Sequence, residues 1–168
     1  MDLRSDKRQL MEFEFQYTEL KQGDPLPGIM EQIRTFSGIE NCHASISMIL
    51  SELVSNALDH GILKLESSLK KDAKGFEEYY IEKQRRLDTL DHGFIKVSIH
   101  NEITEAGEFY CINVEDSGEG FKTTTQLKQL EDNVENFGRG IQLLRKLCSE
   151  ISYNDSGNQV AVRYCCCL

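Results

Sequence analysis

Glu52, Asn56 and His60 recur at every fourth residue of one apolar-periodic stretch, so a helix there would stack a carboxylate, an amide and an imidazole in a single column. The amide oxygen can hold a hard cation, and the carboxylate can take a proton from a nucleophile. The same column also suits an ordinary solvated helix face. A second run, Val114-Glu115-Asp116-Ser117-Gly118-Glu119-Gly120-Phe121, ends an apolar strand on an aspartate and opens into two glycines. Glycine removes Cβ and lets backbone approach a ligand, while the aspartate can accept a hydrogen bond from an exocyclic amine. A tight turn after a strand reads equally well. A third run, Asn136-Phe137-Gly138-Arg139-Gly140-Ile141, stands immediately ahead of a helical pattern. A helix N-terminus offers unpaired backbone N–H groups and Arg139 adds a charge-assisted donor, so phosphate is the natural ligand. Neither G-x-x-x-x-G-K-[ST] nor G-x-G-x-x-G occurs in the chain.

Periodicity predicts the elements that must carry these residues. Residues 11–18 alternate apolar and polar, as a strand with one buried face does, and a turn over 23–28 leads to a short helix carrying Ile29, Ile33 and Phe36. From Asn41 as N-cap, Ile46, Ile49, Leu50, Leu53, Val54 and Ala57 define the strongest helix, which Gly61 ends. A charge-dense segment follows, with Phe76, Tyr79, Tyr80, Lys83, Leu87 and Leu90 forming a stripe on a solvated helix, an insertion covering the core at about 64–92. Strands are predicted at 94–99 and 109–114, a helix after Gly140, and a closing hairpin from 150–153 and 160–164 around a turn at 154–158. The segregation of strands and helices makes an α+β fold, a two-layer sandwich of one mixed, mostly antiparallel sheet on a helical layer.

A chain of 168 residues and 19.2 kDa fits one domain spanning 1–168. Its net charge of −9 and pI near 5.0 repel phosphate backbones and anionic lipid surfaces, so neither nucleic acid nor membrane is an expected partner. The absence of a long apolar run or a signal-peptide start points to a cytoplasmic protein. None of the six cysteines forms a C-x-x-C pair, which predicts reduced thiols rather than a structural zinc cluster. The ending Cys165-Cys166-Cys167-Leu168 has the form of a prenylation box but lacks aliphatic middle positions and a polybasic companion, so it reads as the end of a strand.

Taken in order, the three runs carry a resemblance. Glu52-Leu53-Val54-Ser55-Asn56-Ala57-Leu58-Asp59-His60-Gly61 resembles the N box, Asp116 to Gly120 the G1 box, and Gly138 to Gly140 the G2 box of the ATPases that unite gyrase, heat-shock chaperones, histidine kinases and mismatch-repair proteins. Within that superfamily the E-x-x-x-N-A-x-x-H-G form is most similar to the anti-sigma-factor serine kinases. The insertion from Ser67 to Tyr80 further resembles the kinase-like domain at the C-terminus of bacterial response regulators that also carry a metal-dependent phosphatase, which implies one domain of a longer regulator.

The resemblance implies the histidine-kinase-like ATPase fold, with ATP and Mg²⁺ as cofactors. Asn56 would coordinate Mg²⁺ and Glu52 would act as general base toward a serine hydroxyl or water. Asp59 and His60 would join the nucleotide site, Asp116 would bind the adenine amino group, and Gly118 and Gly120 would pass close to the base. Gly138, Arg139 and Gly140 would hold the phosphates beneath a lid at about 122–137. Two departures stand out: Gly157-Asn158-Gln159-Val160 lacks the threonine that often assists adenine binding, and the lid is acidic at Glu131, Asp132 and Glu135. The implied activity is a serine/threonine kinase acting on a small STAS-type anti-sigma antagonist, with a sigma factor as a further partner and a homodimer as the assembly. A non-catalytic, ATP-responsive partner-binding module is the alternative. A phosphoaccepting histidine kinase fits less well, since His43, His60, His92 and His100 lack paired upstream helices.

Overall fold

Alternation of apolar and polar side chains builds the sheet. The computed structural model describes residues 9–36, 38–66, 70, 72–120 and 138–166, the side chains of 138 and 139 excepted; the lid expected at 122–137 lies outside them. Strands β1 (Leu10–Gln16), β2 (Phe94–Thr104), β3 (Gly107–Asp116), β4 (Glu150–Tyr153) and β5 (Gln159–Cys165) form one sheet in the order β1-β2-β3-β5-β4. Every pairing among them is antiparallel, so the sheet has no parallel pair of the kind expected in a mixed one. Ile95, Val97 and Ile99 of β2, Tyr110, Ile112 and Val114 of β3, and Val162 of β5 point to the helices and are buried. The alternate residues of the same strands, among them Lys96, His100, Cys111 and Arg163, face the other way.

The helical layer covers one face. The strand expected to reach residue 18 ends at Gln16, whose backbone N–H donates to Glu19 Oε2 at 2.9 Å and turns the chain into α1 (Tyr17–Leu20). Helix α2 (Leu26–Ile33) starts inside the predicted turn. There Asp24 Oδ1 accepts the Leu26 N–H at 2.9 Å, and Pro27 falls in the first turn, where no N–H is required. The expected cap Asn41 belongs instead to a 3₁₀ turn (Ile39–Asn41), and Cys42 directly precedes α3 (His43–Asn56). Ile46, Ile49, Leu50 and Leu53 of α3 pack against the inner sheet face as the apolar period predicts. Helix α5 (Gly138–Leu147) completes the layer by burying Leu144. No helix among the described residues is long and apolar enough to cross a membrane.

Helix α3 does not stop at Asn56. It widens into a π-helix (Ala57–Ile62), and Lys64, at a φ of 52°, ends it in the left-handed region. The charged segment forms α4 (Ala73–Thr89), capped by Asp72 Oδ1 accepting the Gly75 N–H at 2.7 Å. Three of its side chains seize the π-helix and the residues after it. The Tyr79 hydroxyl donates to Asp59 Oδ2 at 2.6 Å, Lys83 Nζ lies 2.7 Å from Asp59 Oδ1, and Arg86 Nη1 donates to the carbonyls of Leu63 and Lys64 at 2.6 and 2.7 Å. Tyr79 is the fully buried member of the predicted stripe, whereas Phe76 and Tyr80 remain at the surface. Removing the hydroxyl in Tyr79→Phe should cost about 1–2 kcal/mol by urea unfolding. Asp59→Ala, which leaves the Lys83 ammonium and the Tyr79 hydroxyl without their acceptor, should cost about 3 kcal/mol or more; unchanged midpoints in both would refute this anchoring role.

Candidate functional site

The three sequence runs meet at one end of the sheet, and their glycines are what let them touch. On α3, Glu52 and Asn56 lie one turn apart and half-buried, and neither side chain forms a hydrogen bond or ion pair among the described residues. A Cβ on Gly140, in the first turn of α5, would overlap the Glu52 carboxylate. The glycine therefore allows a carboxylate to stand against a helix N-terminus, where the unpaired N–H groups and the dipole favour negative charge.

The second contact centres on Asp116, the last residue of β3. Its side chain is 8 % exposed, Oδ1 accepts the Gly118 N–H at 2.7 Å, and Oδ2 accepts no hydrogen bond among the described residues. A Cβ on Gly61 would come within 2.5 Å of this carboxylate, and one on Gly118 would overlap the Gly61 carbonyl. Only glycine at both positions lets the π-helix lie against the strand end. Gly120, at a φ of 69°, passes so close to the Ser156 carbonyl that a side chain there is excluded on both counts. Burial pushes the Asp116 carboxyl up to about 6, with the neighbouring Glu115 adding to the effect and the Gly118 amide opposing it.

The β4–β5 turn supplies what sequence reasoning missed. Asn158 Nδ2 donates to the Asp116 carbonyl at 2.9 Å, and the Asp116 N–H donates to the Asn158 carbonyl at 2.9 Å. Asn158 is itself held by Asn154, whose Nδ2 reaches Asn158 Oδ1 at 2.8 Å and whose Oδ1 accepts the Asn158 N–H at 3.1 Å. At the turn that lacks the expected threonine, an asparagine fixes the backbone under Asp116. The signal was the density of Asn, Asp and Ser at 154–158, which marks side chains bonding to local backbone as well as a turn.

Two of the expected nucleotide residues turn elsewhere. Asp59 is 4 % exposed, and its carboxylate is taken up by Tyr79 and Lys83 of the inserted helix. His60 leaves the predicted column because the wider π turn breaks the four-residue repeat, and its Nδ1 donates to the Leu65 carbonyl at 2.7 Å. Gly138 begins α5 and Arg139 lies in its first turn, so backbone N–H groups of the third run do form a helix N-terminus. Glu52, Asn56, Asp116, Gly118, Gly120 and Gly140 are the expected residues that the fold gathers.

Because the folded Asp116 titrates near 6 against an ordinary 3.8, the protonated carboxyl is the form that the fold prefers, and ionising it costs at most about 3 kcal/mol. That stability is fully present below pH 3.8 and is lost as the pH rises through about 6. Asp116→Asn, which keeps an acceptor for the Gly118 amide, should therefore raise the unfolding free energy at pH 7 by about 1–3 kcal/mol and by little at pH 4. Urea unfolding at both values checks this, and a variant less stable at pH 7 would show that the ionised carboxylate has a favourable partner.

No curated protein is similar enough to this chain to count as a match. The family model of the histidine kinase-like ATPase domain matches residues 29–164, which runs from within α2 into β5 and includes all three glycine-bearing contacts. An antiparallel sheet under a helical layer, a carboxylate buried at a strand end and a glycine-led helix N-terminus are what an ATP-binding domain of that kind needs, and the chain belongs to the histidine kinase-like ATPase domain family.

Proposed function

We propose that this ATP-binding domain is a Mg²⁺-dependent protein serine/threonine kinase of the anti-sigma type, acting on a small STAS-type antagonist protein in a partner-switching pathway. The observation that carries the reading is the half-buried Glu52–Asn56 pair, without partners among the described residues, with Glu52 set against the N-terminus of α5. Phosphoryl transfer asks for little else from a protein: a metal ligand, donors for phosphate oxygens and a base for the nucleophile.

The residues fit the cofactors. The Asn56 amide oxygen is a hard donor suited to Mg²⁺, which when bound would neutralise charge on the phosphate oxygens. The backbone N–H groups at Gly138, Arg139 and Gly140, in the first turn of α5, would receive the phosphates. Asp116 Oδ2 would accept from the adenine amino group, and Gly118 keeps Cβ out of the space beside it. Glu52 would take the proton of the serine hydroxyl as that oxygen bonds to the terminal phosphorus and the phosphorus–oxygen bond to the leaving ADP breaks. The acidic surface, with a net charge of −9, fits a protein substrate rather than nucleic acid.

Calorimetric titration with ATP and Mg²⁺, paired with radiolabel transfer to a STAS-type antagonist, separates the roles. Asn56→Ala should lose Mg²⁺-dependent binding. Glu52→Ala should bind within a few-fold of the wild type and transfer phosphate about 10²–10⁴-fold more slowly. Transfer that survives Glu52→Ala would refute the assigned base, and wild-type binding without any transfer would make the domain a non-catalytic, ATP-responsive partner-binding module.

The Asp116 carboxyl gives a second check. Only its ionised form accepts from adenine without giving up an acceptor, so the preference for ATP over inosine triphosphate, which lacks the amino group, should fall as pH drops below about 6. Comparing the two nucleotides cancels protonation of their phosphates. A preference constant from pH 7.5 to 5 would remove Asp116 from base recognition.

A further inference from the structure

The sheet face turned away from the helices carries a second constellation. His100 and Glu102 are two residues apart on β2 and so share a face, and Cys111 of β3 is the direct register partner of His100. The next partners in the same row are Arg163 of β5 and Glu150 of β4. One ligand atom from each of His100, Glu102 and Cys111 lies within 4.8 Å of the others, with all three side chains half-buried. His100 Nε2 stands 3.3 Å from Glu102 Oε1, and the three line a cavity of about 350 Å³ together with Glu150, Ser152 and Arg163.

From this juxtaposition we infer a binding site for a divalent transition metal of the Zn²⁺ class, formed by His100, Glu102 and Cys111 with a fourth position opening into the cavity. Thiolate, imidazole and carboxylate are the donor types that Zn²⁺ selects, and the sulfur and nitrogen ligands disfavour Mg²⁺ and Ca²⁺. Tetrahedral bonds of about 2.0–2.3 Å put ligand atoms about 3.5 Å apart, so side-chain rotation of roughly an ångström closes the site. The Cys111 thiol gives its proton to solvent as the sulfur–metal bond forms.

Arg163 is the opposing consideration, since its Nη2 lies 3.5 Å from Glu102 Oε2. Its guanidinium is stacked 3.8 Å over the Phe109 ring, and Nη1 reaches Glu150 Oε1 at 3.3 Å. The arginine therefore keeps the Glu150 carboxylate as partner when Glu102 turns to the metal, and the metal with its two anionic ligands makes a neutral group beside it in place of the Glu102 charge. The site lies on the opposite sheet face from Asp116 and is independent of the nucleotide reading.

Titration of the full chain with Co²⁺, followed by absorbance, reads the thiolate directly. The expected result is a thiolate-to-cobalt charge-transfer band with tetrahedral d–d bands, saturating at one equivalent and displaced by Zn²⁺. Cys111→Ser should abolish the charge-transfer band, His100→Ala should weaken binding at least about tenfold, and Cys148→Ser should retain both. No such band in the wild type, a band that survives Cys111→Ser, or affinity unmoved in His100→Ala would each overturn the assignment.

Discussion

A carboxylate buried at the end of a strand is the constraint on which the site depends. Taking the Asp116 side chain out of water penalises its charged form, and the fold offers one amide, that of Gly118, in return. The remaining oxygen stays available only because neighbouring backbone comes close without side chains, at Gly61 on one side and Gly118 on the other. Beneath it, the paired hydrogen bonds with Asn158 fix the strand end, so the position of the carboxylate is set by three segments far apart in sequence. A domain optimised for stability alone would not carry an acid here, which is the usual signature of a site under functional demand.

The change of helical period at residue 57 divides the polar residues of α3 between two tasks. Within the α-helical part, Glu52 and Asn56 keep their one-turn spacing and have no partners among the described residues. Within the π-helix, Asp59 and His60 are spent on structure: the first anchors α4 and the second bonds the Leu65 carbonyl. A regular α-helix through residue 62 would have continued the column to His60. The bulge therefore ends the column and presents Gly61 to Asp116.

Much of this was legible in the sequence because it rests on short-range rules. The period of Ile46, Ile49, Leu50 and Leu53 gave α3, alternation gave β2 and β3, and the order of the three glycine-bearing runs gave the family. What escaped depends on contacts between distant residues. Tyr79 and Lys83 show a helical stripe but not that its target is Asp59, because a carboxylate beside a histidine and a glycine reads as part of the site. The helix start moved from Asn41 to Cys42 because the chain spends residues 39–41 in a 3₁₀ turn, which propensity does not distinguish from a cap. Asn158 escaped for a related reason: the Asn, Asp and Ser density at 154–158 marks side chains that bond backbone, but not that the partner is the Asp116 carbonyl, 42 residues away.

The inserted helix belongs to the same chain of constraint. Arg86 holds the carbonyls of Leu63 and Lys64, and Tyr79 and Lys83 hold Asp59, so α4 grips both sides of Gly61. All of these except the bond to the Lys64 carbonyl involve buried or half-buried groups. They outweigh the nearby ion pair between Lys64 and Glu119, both of whose side chains are well exposed and add little. Gly61 is the wall against which Asp116 packs, and a wall made of π-helix has fewer regular hydrogen bonds to hold it than an α-helix of equal length. The insertion supplies that missing rigidity from outside. It is therefore a brace on the Asp116 end of the site, and its exposed face, with Phe76 and Tyr80, rides on the same helix.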